Sequence, residues 1–436
     1  WSSPVVQAKI REVFLNSNQN SFFWFNTEEF RDNDKDTYED NQHQAWQLAG
    51  ELMVPGRGYT ALAENSVPFK PVQDFMFEGK INNGKILVPI YTSPKDTVSN
   101  NNWNFIGNPY PSPIDIHQLF SNENNEELIN GAVYFWTHHA SPINGKYSSS
   151  NYAAYVLGTG GIKAADDGLE PTNFLASCQG VFVNAKKAGN LEFNNGMRTK
   201  DPGNIFFKNE SKDRLWLSVK NDEGIYNQIL IGFIEGATPA FDAKFDALVP
   251  PGEDLFQFYS FNNDIKYAIQ GIGNFDEDQI IDLGIKATFP EKINLSIRLD
   301  KKEGELSDRK ILLYDKYLGI IHDMKEAYEF SLSEKGIYDD RFQLHFKEPK
   351  KTIINSDVLS ELIVRTNLKE FLFETKGEKR IIKSQVFDLL GRTVIERELN
   401  HQQWSLNKSD LKDHFYIVQL QFDDYTVYNK KLIVDK

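Results

Sequence analysis

The segment with the clearest metal-binding chemistry is a short acidic run, in which Asp32, Asp34 and Asp36 alternate with other residues. Aspartates at alternate positions can direct hard oxygen ligands to one cation, as Ca²⁺ requires. However, Thr37 replaces the glycine expected at the sharp turn, and His43 stands where a bidentate glutamate would complete the loop. The favoured interpretation is a solvated acidic loop, with Ca²⁺ as the alternative. No other cofactor is expected.

The remaining reactive side chains form no catalytic pattern. His138 and His139 are adjacent, and neighbours on a strand point to opposite faces. Cys178 is the single cysteine and borders an apolar strand, which predicts a buried, unreactive thiol. Gly271-Ile272-Gly273 is followed by Asp276 where a dinucleotide-binding loop needs a third glycine, and an acid there would repel a pyrophosphate. We therefore predict no catalytic residues and a protein that is not an enzyme. A hydrolase using scattered carboxylates remains a lower-ranked alternative.

Two aromatic runs, Phe22–Phe25 and Tyr134–Trp136, could provide rings that stack on sugars. Because side chains alternate along a strand, half of each run is expected to point into a core in any case. The runs are assigned mainly to packing. Glycan binding through Trp24 or Trp136 is kept as an alternative.

The elements that would carry these residues are strands. Aromatic residues make up 13% of the chain, period-two alternation recurs, and helical periodicity is scarce. Arg214–Lys220 predicts a half-buried strand, and Gln228–Ile234 predicts one covered on both faces. Residues 415–434 predict a hairpin that turns at Asp423-Asp424, with alternate residues from Tyr416 to Phe422 on one face. The predicted fold class is all-β: tandem antiparallel β-sandwiches, jelly-roll-like, followed by a small Ig-like β-sandwich.

Length and charge divide this architecture into domains. A chain of 436 residues is too long for one ordinary core. Residues 352–436 hold 13 Lys+Arg and 13 Asp+Glu, against 48 and 62 in the whole chain, so the formal charge of −14 belongs to the preceding part. With the Pro349 linker, this predicts two β-sandwiches at 1–203 and 204–348 and a separate domain at 352–436. Nucleic-acid binding and a membrane-spanning helix are not expected.

The last 85 or so residues resemble the type A C-terminal sorting domain of type IX secretion cargo from Bacteroidetes. The matching segments, in order, are Val386–Val394 (VFDLLGRTV), Phe415–Val418 (FYIV), the pair Lys430-Lys431 and the terminal Lys436. The resemblance implies that the Asp-x-x-Gly-Arg segment turns between two strands, that the aromatic-x-Val segment begins the final hairpin, and that the lysine pair precedes the last strand. The family usually has Gly before the aromatic, where this chain has Asp413-His414.

The same resemblance implies a function in sorting. The domain would be recognised by the type IX translocon in the outer membrane and by its PorV-type barrel, through strand edges and side chains exposed after folding in the periplasm. Cleavage near the linker could follow. The positions assigned to recognition are Gly391, Arg392, Tyr416, Val418, Lys430, Lys431 and Lys436. For Tyr416 and Val418, a packing role on an apolar strand face is the stronger interpretation. For the terminal lysines, a solvated edge is an equal alternative.

The preceding part resembles a region found before such sorting domains in flavobacterial surface proteins, with landmarks that include Gly107–Asp115 and Asp340-Arg341-Phe342. This implies a secreted or cell-surface, non-enzymatic protein, an adhesin or a gliding-motility-associated cargo, with a surface glycan as a candidate ligand. The alternative is a carbohydrate-binding or stalk region of a secreted polysaccharide-degrading enzyme. The start at Trp1 suggests a piece of a longer precursor.

Overall fold

The architecture comes from a computed structural model of the chain. The structure describes residues 1–30, 45–64, 72–93, 102–137, 151–200, 212–250, 256–289, 292–332, 334–347, 362–367, 369–375, 379–388, 391–412, 415–423 and 427–434. Asp32, Asp34, Asp36, His138, His139 and Lys436 lie outside these ranges, so the predictions made for them stay predictions.

The described chain is all-β, as predicted. The strands of the first 200 residues are β1 Phe23–Phe25, β2 Trp46–Leu48, β3 Ile86–Ile90, β4 Trp103–Gly107, β5 Ile114–Asp115, β6 Ala132–Trp136, β7 Tyr152–Val156, β8 Gly160–Ile162, β9 Phe174–Leu175, β10 Gly180–Asn184 and β11 Gly189–Phe193. The strands of the middle region are β12 Asp213–Lys220, β13 Tyr226–Phe233, β14 Ala247–Leu248, β15 Phe256–Asn262, β16 Ile265–Ile272, β17 Ile280–Ala287, β18 Ile293–Glu303, β19 Leu312–Asp315, β20 Ile320–Asp323, β21 Tyr328–Leu332, β22 Gly336–Ile337 and β23 Phe342–His345.

The last strands are β24 Leu362–Thr366, β25 Glu370–Thr375, β26 Ile381–Asp388, β27 Thr393–His401, β28 Gln403–Asn407, β29 Phe415–Phe422 and β30 Val427–Ile433. Helices are short: α1 Ile10–Val13, α2 Ile116–Phe120 and α3 Glu123–Leu128, with 3₁₀ turns at Thr27–Glu29, Asn195–Met197, Gly304–Asp308 and Lys408–Asp410. Within the described ranges no helix has the length and apolar character to cross a membrane.

The chain forms two compact units. Unit 1 comprises residues 1–275, 285–288 and 299–308, and unit 2 comprises 276–284, 289–298 and 309–436. Strands β17 and β18 contribute residues to both. The predicted domain boundaries stay predictions, although one core of unit 1 contains residues from both sides of position 203.

Unit 1 contains a five-stranded antiparallel sheet in the order β4-β10-β6-β7-β8. Its two faces contribute to different cores, as strand alternation requires. Val133 and Phe135 of β6 belong to one core, and Tyr134 belongs to the other, where its ring packs edge-on against Trp103 at 4.9 Å. The aromatic richness of the sequence therefore serves packing here.

Strand β12 corrects one prediction. The alternation in Arg214–Lys220 predicted a half-buried strand, but both faces of its centre are buried. Trp216 packs in a core of unit 1 and donates a hydrogen bond to the carbonyl of Gly161 at 2.8 Å. The Nζ of Lys301 lies over its ring, 4.5 Å from the ring centre. Ser218 is also buried, and its hydroxyl is satisfied because it donates to Asp300 at 2.8 Å. The alternating residues Trp216 and Ser218 therefore have partners within the protein, and they do not mark a face exposed to solvent. The prediction for β13, buried on both faces, is confirmed.

Parallel pairing also occurs in unit 1, between β13 and β16, where Leu230 is opposite Ile269. The segment that precedes β14 is attached to β16 through the buried carboxylate of Asp246, which accepts from the Gly271 backbone N–H at 2.7 Å and from the Asp242 N–H at 2.6 Å. Burial raises the pKa of Asp246 to about 7.

Unit 2 begins with strands in the order β20-β19-β23-β17. A buried ion pair joins β19 to the start of β23: Arg341 donates from Nη2 and Nε to Asp315 Oδ2, at 2.9 and 3.1 Å. Tyr328 of β21 donates its hydroxyl to the same oxygen at 2.9 Å. Because an unpaired buried charge is costly, this network constrains the position of all three strands.

Residues 362–434, called the C-terminal sandwich below, form two sheets in unit 2. One has the order β24-β25-β28 and the other β27-β26-β29-β30, all antiparallel. Phe373, Val386, Val418 and Leu420 contribute to a common core between the sheets. The predicted hairpin is confirmed: β29 pairs with β30, and Tyr416, Val418, Leu420 and Phe422 share a buried face.

Candidate functional site

The candidate site starts from the turn that joins β26 to β27. Asp388 closes it with two backbone hydrogen bonds: its carbonyl accepts from the Gly391 N–H, and its own N–H donates to the Arg392 carbonyl, each at 3.0 Å. Gly391 has a φ of +74°, in the left-handed region that glycine adopts without steric cost. The Asp-x-x-Gly-Arg segment therefore turns between two strands, as predicted.

One carboxylate anchors the arginine of this turn. Asp388 is buried, and its Oδ1 accepts from the Arg392 N–H at 3.0 Å while its Oδ2 accepts from Arg392 Nε at 2.5 Å. The Arg392 side chain is nevertheless 52% exposed. The guanidinium is thus fixed at its Nε and accessible at its outer end, an arrangement suited to charge-assisted hydrogen bonds with a partner's carboxylate.

The two residues of the aromatic-x-Val segment face inward. Tyr416 and Val418 of β29 are buried in the core of the C-terminal sandwich. The Tyr416 hydroxyl accepts from the Lys412 N–H at 2.8 Å, which ties the preceding loop to the strand. Their packing role follows directly, whereas the recognition role assigned to them stays a prediction.

The lysine pair lies within the last strand and not before it, which corrects the expectation from the resemblance. Lys430 is opposite Val418 and Lys431 is opposite Ile417 in the pairing of β30 with β29. Strand alternation sends the two ammonium groups to opposite faces. Lys431 is exposed, with its Nζ 4.7 Å from the centre of the Phe415 ring. A partner on one face would therefore meet only one lysine of the pair.

A second apolar patch of the C-terminal sandwich was not predicted. Phe387 and Ile417 belong to a separate cluster that contains Leu318, with Ile320 packed against it. The rings of Phe387 and Tyr317 meet edge-on, with centroids 5.1 Å apart. The only sequence signal was that an isoleucine occupies an outward position of β29, where Gln419 and Gln421 follow.

The other sequence candidates in the described ranges have structural roles. Cys178 has a φ of +62° and is half-buried, so it is more exposed than the predicted buried thiol, and burial raises the pKa of the thiol. A β-carbon on Gly271 would lie 2.5 Å from Phe245 Cβ, so this glycine permits close packing, and its N–H donates to an aspartate and not to a phosphate. Among the residues that the structure describes, no three His, Cys, Asp or Glu side chains are grouped to hold a metal ion.

The aromatic runs divide between cores and surface. Phe22 and Phe25 are buried, and Trp24 lies under the Arg57 guanidinium at 4.3 Å. Trp136 is 41% exposed, and its ring meets that of Tyr152 edge-on at 5.0 Å. Of the two tryptophans considered for sugar stacking, Trp136 is the more accessible.

Two family models match separate parts of the chain. A family model described as "Domain of unknown function (DUF8693)" matches residues 1–346, well over half of the 436 residues. The chain belongs to this family. A second model, described as "Secretion system C-terminal sorting domain", matches residues 367–435, which include the Asp388–Arg392 turn and both lysines. No curated protein sequence matches the chain.

The sorting-domain match identifies the C-terminal sandwich as the export signal. The protein is a cargo of the type IX secretion system, and its destination is the cell surface or the extracellular space. The Asp315–Arg341 ion pair lies in the DUF8693 region, whereas the Asp388–Arg392 turn lies in the sorting domain.

Proposed function

We propose that this DUF8693 protein is a non-enzymatic surface protein, an adhesin or a gliding-motility-associated cargo, whose C-terminal sandwich is recognised by the type IX translocon and its PorV-type barrel. The observation that carries the proposal is the Asp388–Arg392 turn, which offers a fixed and accessible guanidinium on a compact sandwich with its own core. A receptor that acts on folded cargo needs such a feature, since it reads a surface and not an extended chain.

The recognition surface is proposed to include Arg392 and the exposed Lys431, with Gly391 shaping the turn that presents Arg392, Lys430 on the opposite face of the strand and Lys436 beyond the described residues. Strand β27 adds an open sheet edge beside the turn, with Glu396, Arg397 and Glu398 exposed along it. Charges on an edge strand discourage pairing with other copies, which leaves the turn as the more specific feature.

A reporter fusion tests the sorting role. Residues 352–436 are fused to a periplasmic reporter in a host that has this secretion system, and reporter is measured in the periplasm and outside the cell. Export is expected for the unmodified fusion, and Arg392→Ala is expected to leave most of the reporter in the periplasm. Arg397→Ala is the matched control, because it removes an exposed arginine from the adjoining strand. Equal export of the two variants would contradict the role of Arg392.

The function of the DUF8693 region is tested on whole cells. Deleting the gene is expected to lower attachment to surfaces, or gliding speed, without removing a hydrolytic activity from the culture medium. Restoring the full-length protein should restore the behaviour. Loss of a secreted polysaccharide-degrading activity, with attachment and gliding unchanged, would favour the alternative that the chain is a binding or stalk region of an enzyme.

Trp136 gives the glycan-binding alternative a specific test. An exposed ring next to Tyr152 can stack on a sugar face. If the alternative holds, the purified full chain binds a defined oligosaccharide on a glycan array in a saturable manner, and Trp136→Ala abolishes the binding. Trp24→Ala serves as the comparison, since that ring is engaged by Arg57. Absence of saturable binding would restrict the adhesin proposal to protein or mineral surfaces as ligands.

A further inference from the structure

The outer face of the sorting-domain sheet carries an apolar patch that its own sandwich does not cover. Along β29, Tyr416, Val418 and Leu420 point into the core between the two sheets, so Ile417 points away from it. Ile417 is nevertheless only 7% exposed, and Phe387 of β26 is 1% exposed. Something outside the sandwich must therefore bury them.

The cover is a turn of the DUF8693 region, residues Tyr317–Ile320, called the docking turn below. Leu318 is buried in one cluster with Phe387 and Ile417, and the Tyr317 ring packs edge-on against Phe387. All of these residues belong to unit 2. Apolar surface of both partners is thereby removed from water, which favours the contact.

Two glycines lie at this contact, one on each side of it. A β-carbon on Gly391 would lie 3.5 Å from Leu318 Cδ2 and 3.7 Å from Tyr317 Cε1, so the glycine of the sorting turn faces the docking turn. A β-carbon on Gly319 would lie 3.3 Å from Asn429 Nδ2 and 3.9 Å from Asn429 Cβ. The contact thus involves β26, β30 and the turn before β27.

The docking turn is shaped by the buried ion pair of unit 2. Asp315 Oδ1 accepts from the backbone N–H groups of Tyr317 and Leu318, at 3.0 and 3.1 Å, while Arg341 binds its Oδ2. Arg341 also donates from Nη1 to the Ser331 carbonyl at 3.2 Å. Because these residues come from strands β19, β21 and the start of β23, the docking turn has its geometry only when that sheet is folded.

We propose that the docking turn is a built-in binding site for the sorting domain, and that docking there reports that the adjoining cargo sheet has folded. The contact rests on four apolar side chains, so its intrinsic affinity is modest. Covalent tethering raises the effective concentration to the order of millimolar, which is enough to populate a weak contact. In a precursor in which the sheet that contains β19 and β23 is unfolded, Phe387 and Ile417 are exposed. This exposure distinguishes the incompletely folded precursor from folded cargo.

A designed disulfide tests the contact in the purified full chain. In a Cys178→Ser background, Gly319→Cys is combined with Asn429→Cys, since the 3.9 Å between the two β-carbons falls in the range for disulfides. Asn429 Oδ1 is buried and has no hydrogen-bond partner among the described residues, so its replacement removes no known bond. Mild oxidation is expected to cross-link most of the protein. The control pair is Gly319→Cys with Ser405→Cys, on the other sheet. Equal cross-linking of both pairs overturns the docking proposal.

A charge at the docking turn provides the second test, which remains informative if the Gly319→Cys substitution impairs folding. Leu318→Asp places a carboxylate against Phe387 and Ile417, and it is expected to speed hydrogen exchange in β26 and β29 at least tenfold and to abolish the cross-link. Ile321→Asp is the matched control, because Ile321 is about half exposed on the adjoining strand β20. Exchange changed equally by both variants counts against the docking turn.

The folding-report role rests on the proposed function, and an export assay separates the two. The purified-protein tests involve no secretion machinery, so they stand whether or not the sorting role does. Full-length Leu318→Asp and Ile321→Asp chains are then expressed in a host with the secretion system. Slower export of Leu318→Asp alone, down to the rate of the 352–436 reporter fusion, which lacks the docking turn, supports the report of folding. If the cross-link is lost while export stays at the wild-type level, docking exists but the report of folding is refuted.

Discussion

The two faces of the sheet β27-β26-β29-β30 are both buried in places, but by different means. The inner face packs against β24, β25 and β28 of the same sandwich, in a core of many residues. Among the described residues, the outer face packs against the docking turn, which ends about sixty residues before β26 begins. Burial of the inner face stabilises the sorting domain. Burial of the outer face depends on another part of the protein, the docking turn.

The largest effect is expected on the inner face. Leu420→Ala removes a fully buried side chain from the core and leaves a cavity, which lowers the free energy of unfolding by about 2–5 kcal/mol. Hydrogen exchange in β26 and β29 measures the local loss. A loss below about 1 kcal/mol would mean that the sandwich repacks freely and that the two faces differ less than described.

A pH series measures a contribution to stability that is separate from the two faces compared above. The titrating group, Asp246, lies in unit 1, whereas both faces of the sheet lie in unit 2. Its folded-state pKa of about 7 is above the ordinary value of 3.8. The folded state therefore binds more protons between these values, and stability from this group is complete below about pH 4 and is lost as pH rises through 7. Between about pH 5 and 8 the loss is on the order of 2 kcal/mol.

Exchange of the Gly271 N–H, which donates to Asp246, is the readout. Asp246→Asn removes the titration, so the stability of the wild type relative to the variant should fall as pH rises from about 5 to 8. An unchanged difference from about pH 5 to 8 would contradict the raised pKa.

A double-mutant cycle sharpens the distinction between the faces. Leu318→Ala and Ile417→Ala are expected to show a coupling energy of about 1 kcal/mol, because the two side chains share one cluster. Leu318→Ala and Val418→Ala should be additive, since Val418 points to the other face. Urea unfolding of the four proteins in each cycle supplies the energies. Equal coupling in both cycles would remove the difference between the faces.

The smallest effect on stability is expected at the sorting turn. Arg392→Ala removes a half-exposed cation from buried Asp388, which keeps its hydrogen bond from the backbone N–H of residue 392, so the loss is expected to be about 1 kcal/mol. Unfolding by urea should hardly change, although export is expected to fall. A loss above about 2 kcal/mol would assign Arg392 a structural role and weaken its role in recognition.

The inner face could be predicted from sequence and the outer face could not. Alternation from Tyr416 to Phe422 identifies the inward residues, because a period of two is a local property of a strand. Ile417 alone carries the outer contact in β29, and one apolar residue forms no pattern. Its partner Leu318 comes from a distant turn, and nothing local links the two.

The same limit explains the other errors and successes. Trp216 and Ser218 occupy positions that alternation assigns to solvent, yet distant side chains cover them. The resemblance implied that the lysine pair precedes the last strand, but the pair lies within that strand, since an edge strand tolerates lysine. The Asp388–Arg392 turn, which the resemblance to the sorting-domain family implied, is confirmed, and its hydrogen bonds join residues that are local in sequence.

The long-range pairing in unit 2 has a consequence in time. The hairpin of β26 and β27 closes over a few residues, an event that takes on the order of microseconds. The sheet that holds Asp315 requires Ile281 of β17 to meet Leu344 of β23, more than sixty positions along the chain. Such non-local contacts form orders of magnitude more slowly. The turn that presents Arg392 therefore forms before the docking turn acquires its geometry, so each newly made molecule passes through an interval in which the sorting turn is present and its docking site is not.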